Sequence, residues 1–123
     1  MGKILIIDDQ EDNLYVATQI LVNDHHEVIT SSNGQETLHI ALTEQPDVIL
    51  LDIQMPGLSG FEVCQKLKTK EETREIPIIF ITAKYKDDES VSKGLQIGAD
   101  DYIVRPFSTL ELKARVNVMI RLR

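Results

Sequence analysis

Three short runs of consecutive apolar residues constrain the fold of this chain most strongly. They are Ile4–Ile7, Val48–Leu51 and Ile78–Ile81, and none of them alternates with polar residues. A strand with one face in water alternates, whereas a continuous apolar strand is typical of a parallel sheet that is covered on both faces. Shorter runs at Val28–Ile29 and Tyr102–Val104 complete a set of five predicted strands.

Segments of helical length separate these runs. We predict helices from about Glu11 to Asn23, Gly34 to Glu44, Gly60 to Lys70, Ser90 to Ile97 and Thr109 to Leu122. Three of them carry the Ser-x-x-Glu/Gln pattern of an N-terminal capping box, at Ser32 with Gln35, Ser59 with Glu62, and Ser108 with Glu111. Five strand–helix repeats with right-handed crossovers predict a doubly wound α/β fold.

Length and composition narrow the class of protein. A chain of 123 residues fits one domain. Its net charge of −7 argues against direct binding of nucleic acid, because phosphate contacts need a basic surface. No apolar run approaches the roughly 18 residues of a spanning helix, and the N-terminus lacks a signal-peptide pattern, so we expect a cytoplasmic protein without membrane contact. The single cysteine, Cys64, has the spacing of a buried helix face and excludes an internal disulfide.

Polar side chains follow the predicted strands at the points where they end. Asp8 and Asp9 follow the first strand, Asp52 the third, Thr82 the fourth and Arg105 the fifth. In a doubly wound sheet, ligands bind outside the carboxyl ends of the strands, so these side chains are predicted to converge. Carboxylates about 4 Å apart repel by roughly 4 kcal/mol at an effective dielectric constant near 20, which favours a bound cation. Oxygen ligands of this kind suit Mg²⁺.

The same residues predict a phosphoryl acceptor. An aspartate beside a divalent cation can attack phosphorus and form an aspartyl phosphate. The cation, Arg105 and Thr82 would then neutralise and bind the phosphoryl oxygens. Asp52 is the predicted acceptor.

A set of motifs with this spacing carries a family resemblance. The set comprises Ile4-Leu-Ile-Ile-Asp8-Asp9, Val48-Ile-Leu-Leu-Asp52-Ile-Gln-Met-Pro56-Gly57, Gly60, Ile78-Ile-Phe-Ile-Thr82-Ala83, Gly98-Ala-Asp-Asp-Tyr102 and Pro106-Phe107. On these motifs the chain resembles the receiver domain of bacterial two-component response regulators. The resemblance implies a flavodoxin-like three-layer (βα)5 fold with the sheet order 2-1-3-4-5. It also implies that residues 1–123 form one receiver domain, with any output domain outside this chain.

The resemblance further implies a signalling switch rather than an enzyme, although receivers assist their own phosphoryl transfer and autodephosphorylation. A histidine kinase or a histidine phosphotransfer protein would donate the phosphoryl group from phosphohistidine to Asp52. Magnesium would be held by Asp8, Asp9, Asp52 and the backbone carbonyl of Gln54, with Asp8 acting largely through water. Thr82 and Tyr102 would be the switch pair that responds to phosphorylation. A cis peptide bond is implied between Arg105 and Pro106.

Arg105 departs from the family pattern, in which lysine precedes this proline. Arginine keeps the charge but is longer and planar, and the two residues are not interchangeable at a tight site. Arg105 could bind the phosphoryl group in bidentate fashion, swing outward, or impair phosphorylation. We expect phosphorylation to be retained, because the acids and Thr82 are intact. The alternative is a degenerate receiver that acts as a phosphorylation-independent interaction module.

The last predicted helix is apolar on more than one side, which suggests a contact face beyond the core. The resemblance suggests a phosphorylation-dependent homodimer whose charged set is Lys93, Asp100, Asp101, Glu111 and Arg115. An Asp101–Arg115 pair across the interface is the most specific form of that hypothesis. The adjacent residues His25 and His26 are expected to lie in an exposed loop.

A phosphatase or phosphotransferase of the haloacid-dehalogenase type is the competing enzyme hypothesis. Such enzymes also use an aspartate nucleophile and magnesium, but they place a second acid two residues after it. Here that position is Gln54, which offers no acid–base proton. The sequence therefore favours the signalling function.

Overall fold

A parallel five-stranded sheet lies at the centre of the molecule. The computed structural model describes residues 2–55, 58–82, 92 and 96–122. The strands are β1 (Lys3–Ile7), β2 (Glu27–Ser31), β3 (Val48–Asp52), β4 (Ile78–Thr82) and β5 (Asp101–Val104). All neighbouring strands are parallel, and their spatial order is β2-β1-β3-β4-β5. This order confirms the predicted doubly wound sheet.

In the described part of the chain, four α-helices flank the sheet: α1 (Glu11–Asn23), α2 (Thr37–Glu44), α3 (Gly60–Lys68) and α4 (Thr109–Leu122). The predicted second helix begins later than expected, because a 3-10 turn at Gly34–Glu36 precedes α2. Most of the helix predicted at about Ser90 to Ile97 lies outside the described residues. Within the described ranges, no helix combines the length and apolar character needed to cross a membrane.

The predicted capping patterns have three different outcomes. The box of Ser59 and Glu62 is complete, with both reciprocal hydrogen bonds present at the start of α3. Ser108 Oγ accepts the Glu111 N–H at 3.0 Å, as its pattern predicts. The Ser32 pattern is wrong, because the next residue, Asn33, caps this turn by accepting the Gln35 N–H at 2.8 Å. Asparagine is as effective a cap as serine, so the one-residue shift has little energetic consequence.

The central strands bury both of their faces, as the continuous apolar runs predicted. Successive side chains point to opposite faces of a sheet. Ile4 and Ile6 therefore belong to a core cluster that also includes residues of α1 and α4, whereas Leu5 and Ile7 belong to a second cluster with residues of α2 and α3. Cys64 is fully buried in the second cluster, as predicted, and burial raises the pKa of its thiol to about 11.

Strand register brings the predicted site residues to one edge of the sheet. Ile7 pairs with Leu51, so the residues that follow them, Asp8 and Asp52, leave neighbouring strands side by side. Gly60 supports this edge from the start of α3. A Cβ atom at Gly60 would lie 2.3 Å from the backbone oxygen of Asp52, so only glycine allows the helix to approach so closely.

The opposite edge of the sheet contains the amino-edge cluster, which consists of Asp24, His26, Asn117 and the backbone N–H of Gly2. Exposure of the two histidines was predicted, and for His26 this is wrong, since only 6% of the residue is exposed. His25 is exposed and has a φ of 67°, a left-handed turn after which the chain leads into β2. His26 Nδ1 accepts the Gly2 N–H at 3.0 Å, and Nε2 lies 3.1 Å from Asn117 Oδ1 on α4.

Candidate functional site

Three carboxylates converge beyond the carboxyl ends of β1 and β3. One ligand oxygen from each of Asp8, Asp9 and Asp52 lies within 4.8 Å of the others. Asp8 and Asp52 are buried, whereas Asp9 is half-buried. We call these three residues the acidic pocket. Its donors are all oxygen atoms, which is the ligand chemistry that suits Mg²⁺, so the residues present fit that ion.

Local hydrogen bonds hold the Asp8 carboxylate in place. Its Oδ1 accepts the Gln10 N–H at 2.9 Å and lies 3.5 Å from the Asn13 amide nitrogen. Its Oδ2 accepts a hydrogen bond from Arg105 Nη2. Both oxygens of this buried group therefore have partners within the chain.

Asp52 carries the clearest electrostatic signature of the pocket. Burial, reinforced by the negative charge of Asp8, raises its pKa from the usual value of 3.8 to about 6. The Gln54 N–H, which donates to Asp52 Oδ1 at 3.1 Å, and the Arg105 charge act in the opposite direction. The pocket therefore disfavours its own negative charge, and a bound cation would relieve that cost.

Arg105 faces the acidic pocket rather than swinging outward. Its Nη2 lies 3.7 Å from Asp52 Oδ2 while it also donates to Asp8. The Arg105 N–H donates to the Thr82 carbonyl at 2.9 Å, which fixes the backbone beside the end of β4. The peptide bond to Pro106 is cis, as the family resemblance implied.

The predicted switch residues lie on β4 and β5. Thr82 is 7% exposed at the carboxyl end of β4, and the next strand places Val104 opposite it. Tyr102 is half-buried and packs against the core cluster shared with α2 and α3. Their response to phosphorylation stays a prediction, as does ligation by the Gln54 carbonyl.

The charged set predicted for a dimer is largely engaged within one chain. Arg115 Nη1 donates to Asp101 Oδ2 at 2.9 Å, and its Nε donates to Glu111 at 3.2 Å. Asp100 accepts the Ile78 N–H at 2.9 Å, and Lys93 lies outside the described residues. The Asp101–Arg115 pair thus forms within the chain, and pairing across an interface stays a prediction.

A cleft beside the acidic pocket was not anticipated from the sequence. It has a volume of about 490 Å³ and is mostly apolar, lined by Ile6, Asp8, Asn13, Val16, Ala17, Ile81, Arg105, Pro106 and Phe107. Tyr15 and Val16, on the outward side of α1, are 67% and 50% exposed. The adjacent residues Tyr15 and Val16, in the helix that follows Asp8 and Asp9, were the available signal in the sequence.

Residues 4–117 match the model of the response regulator receiver domain. The chain belongs to this family. Among its curated relatives, it is 42% identical to the alkaline phosphatase synthesis transcriptional regulatory protein PhoP of Bacillus subtilis, over 97% of this chain and 48% of PhoP. It is 43% identical to the phosphate regulon transcriptional regulatory protein PhoB of Rhizobium meliloti, over 98% of this chain and 53% of PhoB. The receiver domain thus spans about half the length of these two relatives.

Solved structures share the fold of this receiver domain. The receiver domain of the Francisella response regulator 1452 superposes with a TM-score of 0.90 at 28% identity, covering 99% of this chain and 98% of that one. The Vibrio cholerae chemotaxis protein CheY4 gives a TM-score of 0.90 at 27% identity, covering 97% of this chain and 98% of that one. The flavodoxin-like fold predicted from the resemblance is therefore confirmed.

Proposed function

We propose that this receiver domain is a magnesium-dependent phosphoacceptor switch that takes up a phosphoryl group on Asp52. One observation carries the proposal. Asp52 is a buried carboxylate, 4% exposed, that shares its pocket with two further acids and a guanidinium. Uncompensated burial of such charge is costly, so the arrangement supports a role in ligand chemistry rather than in stability.

In the proposed reaction, a carboxylate oxygen of Asp52 forms a bond to phosphorus while the bond from phosphorus to the donor nitrogen breaks. The donor imidazole keeps the electron pair of that bond and takes up a proton. Magnesium, when bound by Asp8, Asp9, Asp52 and the Gln54 carbonyl, would neutralise charge on the phosphoryl oxygens. The Gln54 N–H holds one carboxylate oxygen of Asp52 at 3.1 Å and thereby orients the group for attack.

Arg105 and Thr82 are proposed to bind the transferred phosphoryl group. A guanidinium 3.7 Å from Asp52 needs little movement to donate to an oxygen attached there. Inward movement of Thr82 and Tyr102 would convert this local event into a population shift. Reversing a 1:99 equilibrium takes about 5.5 kcal/mol, which several charge-assisted hydrogen bonds can supply.

A protein donor, either a histidine kinase or a histidine phosphotransfer protein, is supported by the surroundings of the acidic pocket. The apolar cleft opens beside the acids, and exposed Val16 and half-buried Phe107 line it. Such a surface suits a protein that presents phosphohistidine, because apolar contact can position the reacting atoms. We propose that this exchange takes place in the cytoplasm. The net charge of −7 argues against direct contact between this domain and nucleic acid.

We propose that residues 1–123 form one receiver domain, which acts on an output domain outside these residues. Phosphorylation-dependent homodimerisation through β5, α4 and the helix predicted at about Ser90 to Ile97 is the proposed route. Arg115 and Asp101 have side chains that are 40% and 21% exposed, so their pair is accessible to a second copy. Sedimentation with and without beryllofluoride and Mg²⁺ tests this route, and a monomer in both conditions would contradict it.

The phosphorylation test uses phosphoramidate with Mg²⁺ and intact-mass measurement. We expect the mass of one phosphoryl group to be added to the wild type, and its slow loss to report autodephosphorylation. Arg105→Lys is the matched variant, because it keeps the charge with the family's usual side chain. An adduct on Arg105→Lys alone would favour the second candidate function, a phosphorylation-independent interaction module. The observation that favours this candidate is the contact between Arg105 and Asp8.

A further inference from the structure

Arg105 contacts an acid that the proposed function assigns to magnesium. The Asp8 residue is 1% exposed, and its Oδ2 accepts a hydrogen bond from Arg105 Nη2. Its Oδ1 already accepts the Gln10 N–H at 2.9 Å. The guanidinium therefore occupies the oxygen of Asp8 that the backbone leaves free.

The same guanidinium nitrogen also reaches the second buried acid. Arg105 Nη2 is 3.7 Å from Asp52 Oδ2, so one guanidinium offsets part of the charge of both buried carboxylates. The backbone of Arg105 is fixed to Thr82 at 2.9 Å, and only 22% of its side chain is exposed. A planar, permanently charged group with several donors is well suited to span two carboxylates.

A divalent cation and this guanidinium compete for the same oxygens. Positive charges a few ångströms apart in a partly buried site repel strongly, because the local dielectric screens them poorly. A magnesium ion or its bound water also needs access to a lone pair on Asp8, and the Arg105 hydrogen bond occupies one of the two on Oδ2. Binding of the cation is therefore expected to displace Arg105 from Asp8.

We propose that Arg105 is a latch on Asp8 that opens when a divalent cation binds, and that it thereby sets the magnesium concentration at which Asp52 becomes reactive. This inference rests on the proposed function and deepens it. A latch that is closed in about 90% of molecules weakens the apparent affinity for the cation about tenfold. The released guanidinium is then available to the phosphoryl oxygens.

Calorimetric titration of the receiver domain with Mg²⁺ tests the latch without phosphorylation. We expect Arg105→Ala to lower the Kd for Mg²⁺ about tenfold, since the competing donor is gone. Arg115→Ala is the matched control, because it removes an equal charge from a residue that pairs with Asp101 and Glu111 instead. The control is expected to change the Kd less than about twofold.

Each outcome of the titration decides something. Equal affinities of wild type and Arg105→Ala would overturn the latch and leave the proposed function intact. An equal decrease of the Kd for Mg²⁺ in Arg105→Ala and Arg115→Ala would show that the effect comes from the net charge of the domain. That result would also overturn the latch. Absence of Mg²⁺ binding in every variant would overturn both proposals. Thermal denaturation of each variant ensures that a changed affinity is compared between folded proteins.

Side-chain NMR of ¹⁵N-arginine-labelled protein gives a second readout that a general charge effect would not produce. The Arg105 guanidinium resonances are assigned by their loss in Arg105→Ala. They are expected to show slow proton exchange without Mg²⁺ and fast exchange once it is added. Asp8→Asn should give fast exchange at all Mg²⁺ concentrations. Unchanged Arg105 exchange at saturating Mg²⁺ would overturn the latch.

Discussion

The amino-edge cluster and the acidic pocket lie at opposite edges of the sheet, and the pKa values of their carboxyl groups are shifted in opposite directions. In the amino-edge cluster, the Asn117 amide donates to Asp24 at 3.0 Å and lowers the pKa of that carboxyl. In the acidic pocket, burial and the charge of Asp8 raise the pKa of Asp52 to about 6. One cluster matches donors to acceptors, whereas the other contains three acids, two of which lie beside a guanidinium.

The difference separates structural from functional polar groups. His26 links the chain start, β2 and α4 through complementary hydrogen bonds, so its burial costs little and fixes the packing of these elements. The acidic pocket concentrates like charge where the same chain could have placed apolar residues. Such an arrangement lowers stability, which supports the proposed role of the pocket in binding a cation and a phosphoryl group.

The largest expected effect is loss of the phosphoryl adduct in Asp52→Asn. An amide is not a nucleophile for phosphorus, so we expect no added mass after incubation with phosphoramidate and Mg²⁺. Asp24→Asn is the matched control at the other edge and should be modified like the wild type. If Asp52→Asn forms as much adduct as the wild type, the acceptor is another residue. The contrast between the acidic pocket and the amino-edge cluster would then be wrong.

The largest expected loss of stability is that of His26→Ala. The change leaves the Gly2 N–H and Asn117 Oδ1 without their His26 partner and opens a cavity, so we expect the free energy of unfolding to fall by about 3 to 4 kcal/mol. Urea denaturation measures it. His25→Asn is the control, because asparagine tolerates the positive φ of 67° at this exposed position. If the two variants lower the free energy of unfolding equally, His26 does not have the proposed structural role.

Stability should depend on pH through Asp52 with a defined sign. A carboxyl whose pKa is raised from 3.8 to about 6 contributes stability that is present below pH 3.8 and is lost as pH rises through about 6. We therefore expect Asp52→Asn to gain about 2 kcal/mol relative to wild type between pH 4 and pH 7.

Urea denaturation in EDTA at the two pH values measures this gain. Asp24→Asn should show no such gain, because the pKa of Asp24 is lowered and its titration lies below this pH range. A gain of the same sign in both variants would contradict the contrast between the two edges.

The smallest expected effect is that of Arg115→Ala on the monomer. Its pairs with Asp101 and Glu111 lie on a surface where the Arg115 side chain is 40% exposed, so we expect a loss below about 1 kcal/mol. Thermal denaturation at low protein concentration tests it, with Lys113→Ala as the control on the same helix. A loss of several kcal/mol would place Arg115 among the structural polar groups.

Local patterns in the sequence were enough to predict the strands and the residues that follow them. Continuous apolar runs predicted β1, β3 and β4 within a residue or two, because a strand buried on both faces leaves no room for polar side chains. Parallel topology then brings the carboxyl ends of the strands to one edge, so the sequence alone was enough to group Asp8, Asp9 and Asp52. The sequence was less informative for β2, whose half-exposed pattern carries a weaker signal.

The tertiary structure alone decided which partner each polar side chain takes. Arg105 and Asp8 are 97 residues apart, and His26 and Asn117 are 91 apart, so no local pattern distinguishes their contacts from many alternatives. His26 follows a left-handed turn, and its burial depends on where α4 packs. The sequence by itself determined the fold and the acids at its edge, because these follow from apolar periodicity and strand direction. The pairing of Arg105 with Asp8 depends on distances between side chains, which only the packed elements define.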